Sequence, residues 1–357
     1  MADAAVPNPV PAMPSLPVPA TLEAALSSEW LSEALAGVAQ GKAVSSVETV
    51  ELIKTVATKV RFAVSFEGSE EKHSFCLKGL LDVDEMTARG GATCVLEGDF
   101  YARIAPQLNV RVPEAVAVIT DREAQQSVLI MRDLIAGGAR FCSALEPFTA
   151  DEAADSLRQI ANLHAGSGIL GETPWITPRA AQLARMPHMT AEILQELLDG
   201  PRGDNLSAEV RNGARLIEGM KALADKSEAR PQFLVHGDAH AGNIFRTSDG
   251  AGLIDWQVLQ RGTWAIDVAY HLCAVLPVEL AEQEERRLLG HYLDLARGLG
   301  LTLPDEEEAW LQYREAVMYG FYLWGITRRV DPEITVQFTD RLGRATMRHD
   351  SHKLLGV

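Results

Sequence analysis

Three oxygen-bearing side chains stand close together along this chain. They lie in His236-Gly237-Asp238-Ala239-His240-Ala241-Gly242-Asn243 and, shortly after, Leu253-Ile254-Asp255-Trp256. Phosphoryl transfer needs one carboxylate to accept a hydroxyl proton and further oxygen ligands to hold magnesium against nucleotide phosphates. An Asp, an Asn and an Asp on adjoining loops supply that set. The apolar runs around them (Phe233-Leu234-Val235, Ile244-Phe245, Gly252-Leu253-Ile254) are short, and turn residues bound them. They predict a small hairpin beside a catalytic loop, so the chemistry is carried on loops between buried strands.

The same stretch resembles the aminoglycoside phosphotransferase and choline kinase superfamily. That superfamily's catalytic loop reads His-Gly-Asp-x-His-x-x-Asn, and its metal-binding segment reads Ile-Asp-Trp or Ile-Asp-Phe. The closest likeness is to the ecdysteroid-kinase-like and bacterial phosphotransferase branches. The resemblance implies a protein-kinase-like, bilobal α+β fold that uses ATP or GTP with Mg2+. It implies Asp238 as catalytic base, Asn243 and Asp255 as magnesium ligands, and His240 as a stabiliser of charge near the transferred phosphate. Gly262 and Asp267 look like the family's segment in which an Asp braces the catalytic loop.

Upstream, Lys78 ends the apolar strand Ser74-Phe75-Cys76-Leu77-Lys78, and Glu97 sits on the helical segment that follows. In a kinase such an ammonium holds the α and β phosphates while the helix carboxylate orients it. Glu85 is a second candidate for the pairing. Val128 to Leu134 reads as a strand leading into a hinge, where adenine would meet main-chain groups of Met131, Asp133 and Leu134. The connection Lys54-Thr55-Val56-Ala57-Thr58 lacks the glycines that let a kinase loop approach phosphates. Thr55 or Thr58 is the candidate donor there.

The elements expected to hold these residues change character along the chain. A helix is expected at Thr21–Leu35, then strands at Ser45–Ile53, Lys59–Phe66 and Lys72–Lys78. A mostly helical stretch, Asp84–Ile104, precedes strands at Ala115–Thr120 and Gln126–Arg132. Helices follow at Ala150–Ala165, Ala180–Leu198, Ser207–Ala224, Val278–Leu299 and Glu306–Arg328. Strands first and helices after is an α+β order. The division expected is a flexible Pro- and Ala-rich tail at 1–20, a sheet lobe at 21–132 and a helical lobe at 133–357.

His236 and His164 read as buried structural histidines. The aromatics of Trp310 to Trp324 read as core packing, and the acidic run Asp305–Glu308 as a helix start favoured by the dipole.

Composition narrows the partners. Among 357 residues, 33 are Lys or Arg and 49 Asp or Glu, a formal charge of −16. Nucleic-acid and anionic-membrane partners favour basic patches and are disfavoured here. Four scattered cysteines without a Cys-x-x-Cys pair suit reduced thiols in a cytoplasmic setting. No apolar run is long enough for a membrane span. The expectation is a monomer or homodimer acting on a small-molecule hydroxyl substrate. The alternative is a non-catalytic kinase-like module that binds nucleotide or metabolite, against which the complete Asp, Asn and Asp set speaks.

Overall fold

A computed structural model of the chain describes residues 8–54 and 57–357. Thr55, one of the two candidate phosphate donors, lies outside the described residues. The chain divides into two compact units. One runs to Arg140 and takes in Ile254–Gln257; the other comprises Phe141–Leu253 and Val258–Val357.

The first unit opens with three short helices, α1 (Leu22–Ala25), α2 (Ser28–Ala34) and α3 (Ala36–Ala39). Thr21 and Ser27 cap α1 and α2 by accepting from the amides of Ala24 and Trp30. A five-stranded sheet of β1 (Val44–Lys54), β2 (Thr58–Phe66), β3 (His73–Gly79), β4 (Ala115–Asp121) and β5 (Gln126–Arg132) runs in the order β1-β2-β3-β5-β4, antiparallel throughout. Alternation explains its two faces. Val60, Phe62, Val64, Phe75, Leu77, Val128 and Ile130 turn into a core with Leu31 and Leu35 of the opening helices. Lys59, Arg61, Cys76, Lys78, Leu129 and Met131 share the other face by register. Between β3 and β4 lie α4 (Glu85–Ala88) and α5 (Gly91–Asp99), the latter continuing as a wider π-helical turn through Ile104. Gly98 lets α5 approach the sheet, because a Cβ there would lie 2.4 Å from the Ser127 hydroxyl.

The segment expected as a flexible tail packs against this unit from Asn8 onward. The Asn8 side-chain amide donates to the carbonyls of Ala105, Leu108 and Val110. Ala12 forms a parallel bridge with Ala117. The physical reason is plain: these carbonyls and the edge of β4 need partners, and the Pro-rich segment is extended enough to supply them.

The second unit is mostly helical: α6 (Ala150–Ala165), α7 (Arg179–Ala184), α8 (Ala191–Asp199) and α9 (Gly213–Glu228), then α10 (Ala265–Val275), α11 (Val278–Gly298), α12 (Glu306–Ile326), α13 (Pro332–Arg348) and α14 (Ser351–Leu354). Between α9 and α10 come β6 (Phe233–Val235), β7 (Ile244–Thr247), β8 (Gly250–Leu253) and β9 (Gln260–Gly262). The strands β7 and β8 form the expected hairpin, and β6 pairs with β9. The single helix expected at Ala180–Leu198 is two, because Pro187 interrupts it. Asp305 caps α12 through the Glu308 amide, and Tyr313, Tyr319, Phe321 and Tyr322 are buried in the unit's core. Among the described residues no helix is long and apolar enough to cross a membrane.

Candidate active site

In the first unit, Lys78 lies at the end of β3 and is only 6% exposed. Its ammonium donates to Glu97 of α5 (2.9 Å to Oε1, 2.7 Å to Oε2) and lies 3.2 Å from Asp255 Oδ1. Burial, the strongest influence, pulls its pKa down. The charges of Asp255 and Glu97 more than offset that, and the net displacement is upward, so Lys78 is a cation. Glu85, the other candidate partner, is exposed at the start of α4.

Asp255 adopts φ +65°, the left-handed region that a non-glycine residue enters at some cost. Its neighbour holds it there. The Trp256 amide donates to Glu97 Oε1 at 3.2 Å, and the indole stacks on Phe100 with centroids 3.7 Å apart. One carboxylate thus orients both the lysine and the segment that carries Asp255.

Of the hinge candidates, Met131 faces the same side of the sheet as Cys76 and Lys78. Asp133 is mainly a turn former. Its carboxylate accepts from Arg61 Nε at 3.0 Å and from the Ile135 amide at 2.9 Å; its N–H donates to Ser74 O and its C=O accepts from Gly137 N. The Leu134 carbonyl accepts from the Ala139 amide. Thr58 is buried and donates to Leu81 O at 2.6 Å, which commits its hydroxyl within the unit.

In the second unit the loop from His236 to Asn243 leaves β6 and is anchored from beneath. Asp267, fully buried in the first turn of α10, accepts from the amides of His236 (2.7 Å) and Gly237 (2.8 Å) and faces His164 Nε2 at 3.2 Å. Burial pushes its pKa up, but the hydrogen bond and charge of His164, with help from His236 and the Gly237 amide, outweigh burial and hold it low. Gly237 sits at φ +77°, where a Cβ would come within 2.7 Å of Val258 O, so only glycine fits this turn. Its carbonyl accepts from Tyr319 OH at 2.8 Å. His236 Nδ1 accepts from the Asp238 amide at 3.1 Å; this fully buried imidazole is structural, as its sequence context suggests. His271, also fully buried, donates from Nδ1 to Ala239 O, and burial lowers its pKa to about 4.

Each oxygen of Asp238 has a fixed donor. Tyr270 OH donates to Oδ1 at 3.0 Å, and Asn243 Nδ2 donates to Oδ2 at 3.1 Å and to the Asp238 carbonyl at 2.9 Å. Because the Asn243 amide nitrogen is committed, its side-chain oxygen is the atom left for a hard cation. That amide oxygen, like the carboxylate of Asp255 in the other unit, is a donor of the type that magnesium takes. Tyr270 in turn accepts from Trp324 Nε1 at 2.7 Å. The His240 ring packs beside Trp324 and Phe338, and its Nε2 lies 3.7 Å from Asp238 Oδ2. Sequence reasoning missed Tyr270 as a member of this loop's support. The available signal was its place three residues after Asp267, which puts it near the same face of α10.

Within each unit the structure brings several of these side chains together: Lys78 with Glu97 and, beyond the expected pair, Asp255 in one; Asp238 with Asn243, His240 and the Asp267 brace in the other. Known proteins similar to this chain include several kinases. Thiamine kinase from Escherichia coli K12 is 32% identical over 105 residues, 29% of this chain and 36% of that protein. The chain thus spans little more than a third of the curated relatives it matches. Among solved structures, ethanolamine kinase from Plasmodium vivax aligns over 86% of this chain and 82% of its own, with 13% identity and a TM-score of 0.48. The choline kinase of Streptococcus pneumoniae aligns over 85% and 94%, with 14% identity and a TM-score of 0.46. The family profile for ecdysteroid kinase-like proteins matches residues 53–299, well over half of the chain, a span that takes in Lys78, Glu97, Asp238, Asn243, Asp255 and Asp267, and the chain belongs to that family.

Proposed function

We propose that this protein is a small-molecule kinase that transfers the γ-phosphoryl group of ATP, or GTP, to a hydroxyl of its substrate. The observation that carries the reading is Asp238, partly exposed, with each carboxylate oxygen fixed by a donor from a buried side chain. A binding module has no need of a carboxylate so held; a general base does.

In this reading Asp238 accepts the proton as the substrate oxygen bonds to the γ-phosphorus and the bond to the β–γ bridging oxygen breaks, releasing the nucleoside diphosphate. Lys78, oriented by Glu97, holds the α and β phosphates. Asn243 in one unit and Asp255 in the other are each read as a magnesium ligand, and the ion would neutralise charge on the phosphates. His240, whose Nε2 lies 3.7 Å from Asp238 Oδ2, meets developing charge there in this reading. Adenine contacts fall to the main chain around Met131, Asp133 and Leu134, where β5 ends. The acceptor is a small organic alcohol and the setting cytosolic, in keeping with four cysteines of which none forms a disulfide.

Thermal melting with and without Mg2+ and ATP or GTP tests the reading. Ligand at a hundredfold excess over Kd stabilises the folded state by about 2.7 kcal/mol. The wild type is expected to show a magnesium-dependent rise that Asp255→Ala removes, and to release ADP or GDP when presented with its alcohol. No rise with either nucleotide at millimolar concentration would overturn it.

A further inference from the structure

The glycine-free connection between β1 and β2 leaves open how the terminal phosphates of a nucleotide are held, and the sheet itself offers an answer. Lys59 of β2 is directly opposite Lys78 of β3 in the antiparallel register. Opposed residues project from the same face, so both lysines leave the sheet on the side away from the apolar core. Like charges in that arrangement are destabilising. The charged groups around Lys59 are engaged elsewhere. Arg61, the next residue on this face, is bound to Glu51 and Asp133. Glu97 and Asp255 are within electrostatic reach of Lys59, but both are in contact with Lys78. Among the described residues no hydrogen bond or ion pair holds the Lys59 ammonium. Burial, then the charge of Lys78, keep its pKa below the ordinary lysine value.

A half-buried ammonium facing a second one is an unfavourable arrangement until an anion comes between them. We propose that Lys59 is a second phosphate-binding cation. It contacts the outer phosphates of a nucleoside triphosphate and takes over the work that backbone amides of a glycine-rich loop do elsewhere. The assignment rests on the kinase reading above, and it makes the protein select for phosphate number by side-chain charge.

The test is a binding series, with ATP, ADP and AMP titrated in the presence of Mg2+ against wild type, Lys59→Met and Lys59→Arg, alongside melts of each protein without ligand. Loss of one charge-assisted hydrogen bond predicts roughly ten- to a hundredfold weaker ATP binding in Lys59→Met. AMP affinity should change less than about twofold, and Lys59→Arg should keep most of the ATP affinity. Removing a like charge should leave the ligand-free Tm unchanged or raised, whereas a structural lysine would lower it. If Lys59→Met does not fold, Lys59→Gln takes its place in the series. ATP affinity within twofold of wild type in the methionine variant, or equal losses for ATP and AMP, would overturn the assignment while leaving the kinase reading intact. A wild type that binds none of the three nucleotides would sink that reading, and the role of Lys59 with it.

Discussion

Tyr270→Phe removes a single hydroxyl and acts on two partners at once. The hydroxyl donates to Asp238 Oδ1 at 3.0 Å and accepts from Trp324 Nε1 at 2.7 Å, all within one buried cluster. Burial, reinforced by the charge of Asp238, pushes the phenol pKa well up, so Tyr270 stays protonated and remains a donor throughout the working range. A hydrogen bond to a charged acceptor contributes about 1.5–3 kcal/mol, and a buried donor left without a partner costs about 1–3 kcal/mol. The Trp324 indole is 4% exposed, so its N–H would be such an orphan. The variant should therefore lose about 2–4 kcal/mol of stability, a sizeable part of what a natural domain has. The Asp238 carboxylate would also lose the donor that fixes its rotamer. Misplacing a catalytic group by about 1 Å can cost a hundredfold in rate, so kcat should fall roughly ten- to a hundredfold while KM for nucleotide stays within about threefold. Steady-state ADP release on folded protein, below the variant's Tm, reads this split. Trp324→Phe is the control. It keeps the Tyr270–Asp238 bond, so it should lower Tm yet leave most of kcat. Unchanged kcat in Tyr270→Phe, or a greater loss of kcat in the tryptophan variant, would refute the positioning role.

Three further outcomes follow from the same geometry. Asp267→Asn puts an amide where two backbone N–H groups need a carboxylate, and should cost about 3–5 kcal/mol, measured by denaturant unfolding. The Asp267 pKa is lowered on folding, so its contribution is fully present above the unfolded value of about 4 and is lost as pH falls through the folded one; the gap between wild type and variant should close only below about pH 4. Gly237→Ala must hold φ +77° and bring a Cβ within 2.7 Å of Val258 O. It should cost more than the roughly 1–2 kcal/mol of the left-handed conformation alone, and activity should fall with the Tm. Lys78→Ala leaves Glu97 as a buried carboxylate and Asp255 as a half-buried one without their shared cation, and is expected to cost about 3–5 kcal/mol as well as nucleotide binding; an undiminished Tm would show that the three do not form one unit.

The candidate catalytic loop, His236 to Asn243, was legible because its requirements are local. A turn at φ +77° demands glycine, and Asp238 and Asn243 meet within five residues, so the motif carries its own geometry. The Lys78–Glu97 pair was legible only by assuming the fold, since strand end and helix become neighbours through the sheet. The helix Ala265–Val275 was not predicted because every one of its residues is buried, and a uniformly apolar run has no period to read. Pro332–Arg348 does have an amphipathic pattern and a capping Asp331 with Pro at its start; it was open to sequence reasoning and was passed over. Tyr270 and Lys59 escaped because their partners are set by helix packing and strand register, which no short motif records.

The central claim is that Asp238 takes the proton of the substrate hydroxyl. Its most direct test is nucleoside diphosphate release by Asp238→Asn beside Mg2+–nucleotide binding on the same preparation. The variant keeps an oxygen for Tyr270 OH but loses the base. The account predicts turnover reduced by about 10²–10⁴-fold or more, with nucleotide affinity within about threefold of wild type. Turnover equal to wild type at equal binding would contradict it.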